Sequence, residues 1–172
     1  MTTLVNPSLR FVLTASLAFA LAACGFSLRG SDVLSSKFQI LQLDSEQVNN
    51  ELSRLIRRRL ENAEVIIEPI STANPNSELP LLLINNEKLV SRPVTVNPRA
   101  RAAQYEMRLS VDISLGQFNE YLISPETLFV ERSYFEDIEN ISGNQEEVEI
   151  IAAEMRTELI NQLMRRLAAV EV

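Results

Sequence analysis

The amino-acid sequence predicts an α+β fold: a two-layer sandwich, with two amphipathic helices packed on one face of a four- to five-stranded mixed or antiparallel sheet. Three observations predict it. Residues 103–115 alternate without a break. Ala103, Tyr105, Met107, Leu109, Val111, Ile113 and Leu115 fall on one side, and Gln104, Glu106, Arg108, Ser110, Asp112 and Ser114 on the other. Such alternation marks a strand with one face on a core and one face in water. Two segments, 44–61 and 145–168, carry apolar residues at i, i+3, i+4 spacing, which makes one greasy stripe per helix. The elements run strand, helix, strand, strand, strand, strand, helix, so the helices can cover one sheet face and leave the other open.

Ahead of that domain stands a leader. Arg10 precedes an apolar run from Phe11 to Ala20, and Leu21-Ala22-Ala23-Cys24 follows. A basic start, a short greasy middle and small residues before a cut are the layout of a secretory signal. The run is too short for a permanent bilayer span, which needs about 20 apolar residues. Residues 1–23 are therefore read as a lipoprotein signal peptide. Cys24, the one cysteine of the chain, is the expected lipidation site, giving a protein tethered to a membrane rather than spanning it. Gly25 follows the cysteine; an Asp there commonly retains lipoproteins in the inner membrane, so Gly25 points to the outer membrane and its periplasmic side. Residues 24–36 form a lead-in, and 37–170 one α+β domain.

Within the domain, Lys37–Leu43 is a short strand. Asp44 or Ser45 caps the first helix, whose stripe is Val48, Leu52, Leu55, Ile56 and Leu60. Arg54, Arg57, Arg58 and Arg59 crowd its second half; they read as a solvated face favoured by the helix dipole, or as a surface for phosphates. Val65–Glu68 is a second strand, 71–80 a loop rich in turn residues, and Leu81–Val90 a third strand. Arg92-Pro93 through Arg101 reads as a locally basic loop or hairpin tip. The alternating strand follows, then a turn region over 116–125 and a partner strand over Thr127–Phe135. Glu136, Asp137 and Glu139 lie in an acidic connection without the spacing of a calcium loop. Asn144 with Glu147 fits a capping box for the last helix, with its stripe from Val148 to Leu167.

Composition excludes much chemistry. With no histidine, neither a Ser-His-Asp triad nor a His-ligated zinc can form. There are 4 glycines and no glycine-rich phosphate loop. No catalytic residue, metal or cofactor is expected. Removing residues 1–23 removes only Arg10 among charged residues, leaving 15 cations against 23 anions, or −8. An acidic domain of this kind is a poor nucleic-acid binder.

The chain resembles the LPS-assembly lipoprotein (LptE) family. The likeness rests on Cys24-Gly25-Phe26-Ser27-Leu28-Arg29, Leu52-Ser53-Arg54 and Tyr105-Glu106-Met107. It continues through Arg132-Ser133-Tyr134-Phe135-Glu136-Asp137, Glu154-Met155 and Gln162-Leu163-Met164-Arg165-Arg166-Leu167. The resemblance implies a lipoprotein that plugs and helps assemble an outer-membrane β-barrel, the LptD translocon subunit, binds lipopolysaccharide and aids its insertion in the outer leaflet. In the family, basic residues near the hairpin loop before the Tyr-x-Met strand are implicated in lipopolysaccharide contact. Arg99 and Arg101 occupy that region here, with Arg92 nearby; where family members can carry a lysine before the last helix, this chain has Gly143-Asn144. Two other readings stand beside this one: a generic outer-membrane adaptor for another envelope protein, suggested by the open sheet face, and a carboxylate-only envelope hydrolase, suggested by the acidic run from Glu136.

Overall fold

The structure is a computed structural model and describes residues 31–47, 50–70, 78–96, 102–136 and 141–171. The order is α1 (Ser31–Lys37), β1 (Ile40–Ser45), α2 (Glu51–Asn62), β2 (Ile66–Glu68), β3 (Leu81–Val96), β4 (Ala102–Gln117), β5 (Glu120–Phe135) and α3 (Ile141–Ala169). The strands form one five-stranded mixed sheet ordered β2-β1-β3-β4-β5. β1 runs parallel to both β2 and β3, and β3, β4 and β5 form an antiparallel meander. The helices lie on one side. The expected α+β two-layer architecture is the one observed, with an added short helix at the end of the stretch read as a lead-in.

β4 shows why. Its odd residues Met107, Leu109, Val111, Ile113 and Leu115 are all buried, and its even residues Glu106, Arg108, Ser110 and Asp112 are not. On the core side they meet Leu82 and Ile84 of β3 and Val130 of β5. The helix layer closes this core with Leu52, Ile56 and Leu60 of α2 and Met155, Leu159, Leu163 and Leu167 of α3. α1 adds Leu34, and Phe38 follows it, both almost fully buried. Lys37 Nζ donates to the carbonyls of Ala168 (2.7 Å) and Val170 (2.5 Å), placing a cation on the negative end of α3.

Several element boundaries differ from the sequence reading, each for a local reason. Neither Asp44 nor Ser45 caps α2. β1 continues through Ser45 because it pairs with Ile84 of β3, and Asn50 is the cap, its side chain accepting from the Ser53 amide at 2.7 Å. Arg92 and Pro93 are not in a loop: β3 stays paired with β4 as far as Val96 opposite Ala102. β1 stops pairing at Ile84, so the rest of β3 is an edge, where a proline without an N–H is tolerated. The turn region expected over 116–125 shrinks to Phe118 and Asn119, with φ of 49° and 67°, as a two-residue hairpin turn requires. Pro125 is then absorbed where the register with β4 slips. α3 starts at Ile141, so Asn144 lies in its first turn rather than at its cap. The signal segment 1–23, Cys24, Arg99 and Arg101, and Asp137 and Glu139 of the acidic connection lie outside the described residues.

Leu159 is fully buried at the centre of the helix–sheet interface. Leu159→Ala is expected to lower unfolding free energy by about 2–5 kcal/mol, and Asn50→Ala by about 1 kcal/mol through loss of the cap. Urea denaturation followed by circular dichroism checks both.

Candidate functional site

The helices cover one sheet face, so the other is the broad surface the fold leaves for a partner. It is built from the even residues of β4 and their cross-strand neighbours. Arg92 of β3 lies opposite Glu106, and Arg108 lies opposite Glu131 of β5. Both pairs close as ion pairs: Arg92 Nη2 reaches Glu106 Oε1 at 2.6 Å, with its Nε at 2.9 Å, and Arg108 Nη1 reaches Glu131 Oε1 at 2.9 Å. The Arg108 guanidinium also lies over the Phe129 ring, 4.0 Å from its centroid, a cation–π contact. Farther along, Thr127 Oγ1 and Asn86 Nδ2 both donate to Asp112, at 2.6 and 2.8 Å, a polar ladder across three strands. Val90, exposed like Phe129, sits opposite Arg108. Arg92 and Arg108 on this face are thus neutralised sideways, whereas Lys88, opposite Ser110 on the same face, forms no ion pair among the described residues. Exposed pairs of this kind add little stability; their effect is to give the face a mosaic of matched ions and small apolar patches.

Arg92, singled out from the sequence, therefore lies on this face and is engaged with Glu106. β3 and β4 lead from it toward the segment that holds Arg99 and Arg101. Near that end, Tyr105 and Tyr134 stack with centroids 5.4 Å apart. A hydrogen bond to the Glu136 carboxylate, reinforced by slight desolvation, raises the Tyr105 pKa above its ordinary value.

A second arrangement is not visible in the sequence. Asn86 adopts φ 54° and the β3 register shifts between Asn85 and Lys88. This bulge turns Glu87 toward the helices, where its carboxylate accepts a short hydrogen bond from Asn50, the α2 cap. Arg156 of α3 lies between Glu51 (2.9 Å) and Glu87 (3.6 Å). Among the described residues the buried Arg156 Nε has no hydrogen-bond partner, so Glu87 holds it by charge rather than by a hydrogen bond. The one available signal is Asn85-Asn86 interrupting an apolar run, since Asn is among the few residues that tolerate the left-handed region. Along the β5 edge, Arg132 pairs with Glu158 and Arg166 with Glu126, tying the strand to α3.

Both Asp112 and Glu126 are held below the usual carboxylate range. For Asp112 the main cause is the Thr127 hydrogen bond, then that from Asn86; for Glu126 it is the hydrogen bond from Arg166. Among the described residues, no group of three His, Cys, Asp or Glu side chains forms a metal site, and no helix is long and apolar enough to cross a membrane.

The family model LptE, described as lipopolysaccharide-assembly, matches residues 37–167. The LPS-assembly lipoprotein LptE of Pectobacterium atrosepticum is 28% identical over 161 residues, spanning 93% of this chain and 85% of its own. That of Yersinia enterocolitica is 28% identical over 151 residues, or 87% of this chain and 70% of its own. Among solved structures, rare lipoprotein B of Shewanella oneidensis superposes with a TM-score of 0.67 at 24% identity, covering 76% of this chain and 94% of that one. Lipoprotein B of Nitrosomonas europaea gives 0.64 at 20% identity, covering 84% and 91%. At these identities the two structures speak for the fold.

The lowered carboxylate pKa values set a pH dependence. A carboxylate whose folded pKa is depressed stabilises the fold above its unfolded value, about 4, and loses that contribution as pH falls through the folded value. The stability gap between wild type and Glu126→Gln is expected to be full at pH 6 and to shrink progressively below about pH 4. Urea midpoints measured across that range check it, and a gap independent of pH would contradict the Arg166–Glu126 assignment.

Proposed function

Because the chain belongs to the LptE lipopolysaccharide-assembly family, we propose that it is a lipoprotein anchored at Cys24 on the periplasmic side of the outer membrane. There it plugs and helps assemble an LptD-type β-barrel and aids lipopolysaccharide insertion in the outer leaflet. Its class is that of an LPS-assembly lipoprotein and not an enzyme, which removes the carboxylate-only hydrolase. The family match over residues 37–167 is the observation that carries the reading.

The geometry supports it in two ways. β3, β4 and β5 are each 16 residues long, about 50 Å at the usual rise, a length suited to a rod inside a large barrel. The lumen of such barrels is polar. A sheet face whose arginines are already paired sideways can lie against a polar wall with few unmatched charges. A generic adaptor would also use an open face, but the family match favours the barrel.

For lipopolysaccharide, the net charge of the chain is −7, so recognition of a phosphorylated glycolipid has to be local. Arg99 and Arg101, with Arg92 behind them, supply the cations; a guanidinium grips phosphate through paired, charge-assisted hydrogen bonds. Because Arg92 is engaged with Glu106, Arg99 and Arg101 are the residues to alter first.

Affinity purification of the full lipidated chain from detergent-solubilised envelopes, with mass spectrometry of the eluate, tests the assignment. A stoichiometric large barrel protein is expected, and its absence with intact bait overturns the barrel reading. Arg99→Glu with Arg101→Glu is expected to keep the barrel and lower co-eluting lipopolysaccharide at least several-fold. An unchanged lipopolysaccharide yield would remove these arginines from the site.

A further inference from the structure

The outer side of the helix layer, opposite the open sheet face, carries a groove of about 270 Å3 between α2 and α3. Leu55 and the buried Ile160 give it apolar walls; Arg58, Arg59, Asn62 and Asn161 line it with two guanidinium groups and two amides. Among the described residues no carboxylate lines it. In a chain of net charge −7 this is a local reversal of sign. Arg58 and Arg59 are both exposed, and among the described residues neither forms an ion pair. The other arginines of the chain with described side chains mostly do: Arg92, Arg108, Arg132, Arg156 and Arg166 are each matched to a carboxylate.

Topology fixes which surroundings reach this groove. Ile40, which opens β1, pairs with Ile66, which opens β2 directly after α2. Gln42 pairs with Leu81, and Leu81 with Gly116 beside the β4–β5 turn. The last turn of α2, the end of α1 and the β4–β5 turn therefore share one end of the sheet. Lys37 brings the C-terminus of α3 to the same end. The chain enters α1 at Ser31, seven residues after Cys24, and that stretch can span at most about 25 Å. α1 adds about 10 Å at its usual rise, so an acyl anchor on Cys24 holds the end bearing Arg58, Arg59 and Asn62 within about 35 Å of a membrane surface. The same end exposes Ile66, Phe118 and Tyr121, and an aromatic with an apolar body and a polar tip, such as Tyr121, suits the boundary between lipid and water.

We propose that this groove seats the headgroup of an anionic glycerophospholipid from the leaflet that holds the anchor. Arg58 and Arg59 bracket the phosphate with charge-assisted hydrogen bonds. Asn62 and Asn161 donate to the remaining headgroup oxygens, and Leu55 and Ile160 receive the first methylenes of an acyl chain. Seated in this way, one lipid fixes the rotation of the domain about its tether. The choice of occupant rests on the anchor at Cys24; the groove and its charge do not.

The test uses the full lipidated chain in a neutral detergent, titrated with dihexanoyl phosphatidylglycerol and followed by amide NMR. Parallel titrations use dihexanoyl phosphatidylcholine and inorganic phosphate. Saturable shifts at Leu55 and Ile160 are expected with the anionic lipid alone. Arg58→Gln with Arg59→Gln is expected to weaken the apparent Kd at least ten-fold, while Arg54→Gln with Arg57→Gln, on the same helix but outside the groove, leaves it unchanged. Three results overturn the proposal: no saturable shift, inorganic phosphate binding as tightly as the lipid, or the control pair weakening binding as much as the groove pair. The intact mass of the same sample reports acylation separately. Binding by a chain that carries no acyl group supports the groove while removing the anchor reading.

Discussion

The structure depends on the alternation of one strand. β4 is flanked along its length by β3 and β5, and every second residue of it from Met107 to Leu115 is buried. Because side chains alternate with a period of two, a slip of one residue would carry that whole set into water and drive Glu106, Arg108 and Asp112 into the core. The register of the meander is fixed by that penalty. Once it is fixed, the helices have only one face to cover, and the other face is left open with its arginines matched to carboxylates.

The remaining contacts fasten the helix layer to the meander. The β3 bulge at Asn86 sends Glu87 to the α2 cap and to Arg156 of α3, so a strand irregularity, a helix start and the long helix meet at one point. Removing one partner of a partly buried pair leaves the other charge unmatched, which costs more than the pair contributes; this makes the cluster a constraint on geometry rather than a reserve of stability. At the C-terminus of α3, Lys37 closes the terminal carbonyls. The long helix is therefore held at its middle and at its C-terminus, and β3, β4 and β5 continue past β1 as a three-stranded arm toward the segment carrying Arg99 and Arg101.

Much of this was legible in the sequence because it rests on periodicity. The β4 alternation and the stripes of α2 and α3 each signal within a dozen residues, and together they predict the layers. Boundaries were less legible, because distant pairing decides them: Ser45 stays in β1 on account of Ile84, and Arg92 stays in β3 on account of Glu106, neither of them a neighbour in the chain. The helix at Ser31–Lys37 is too short to show a period, and among its described side chains Leu34, with Phe38 just beyond it, ties it to the core. For the open face, the even residues of β4 were readable as polar, but their matching was not. Arg108 over Phe129 and Asp112 between Asn86 and Thr127 require the register of three strands at once.

The central claim is that the open sheet face is the surface against which the partner barrel lies. Site-specific photo-crosslinking in the intact envelope tests it most directly, with the photoreactive residue placed in turn at Ser110 and Ser133 on the open face and at Ala153 on the helix layer. The account predicts covalent adducts to a large outer-membrane β-barrel protein from Ser110 and Ser133, and a much lower yield from Ala153. Adducts from Ala153 alone, with the barrel present and the open-face probes silent, would contradict it.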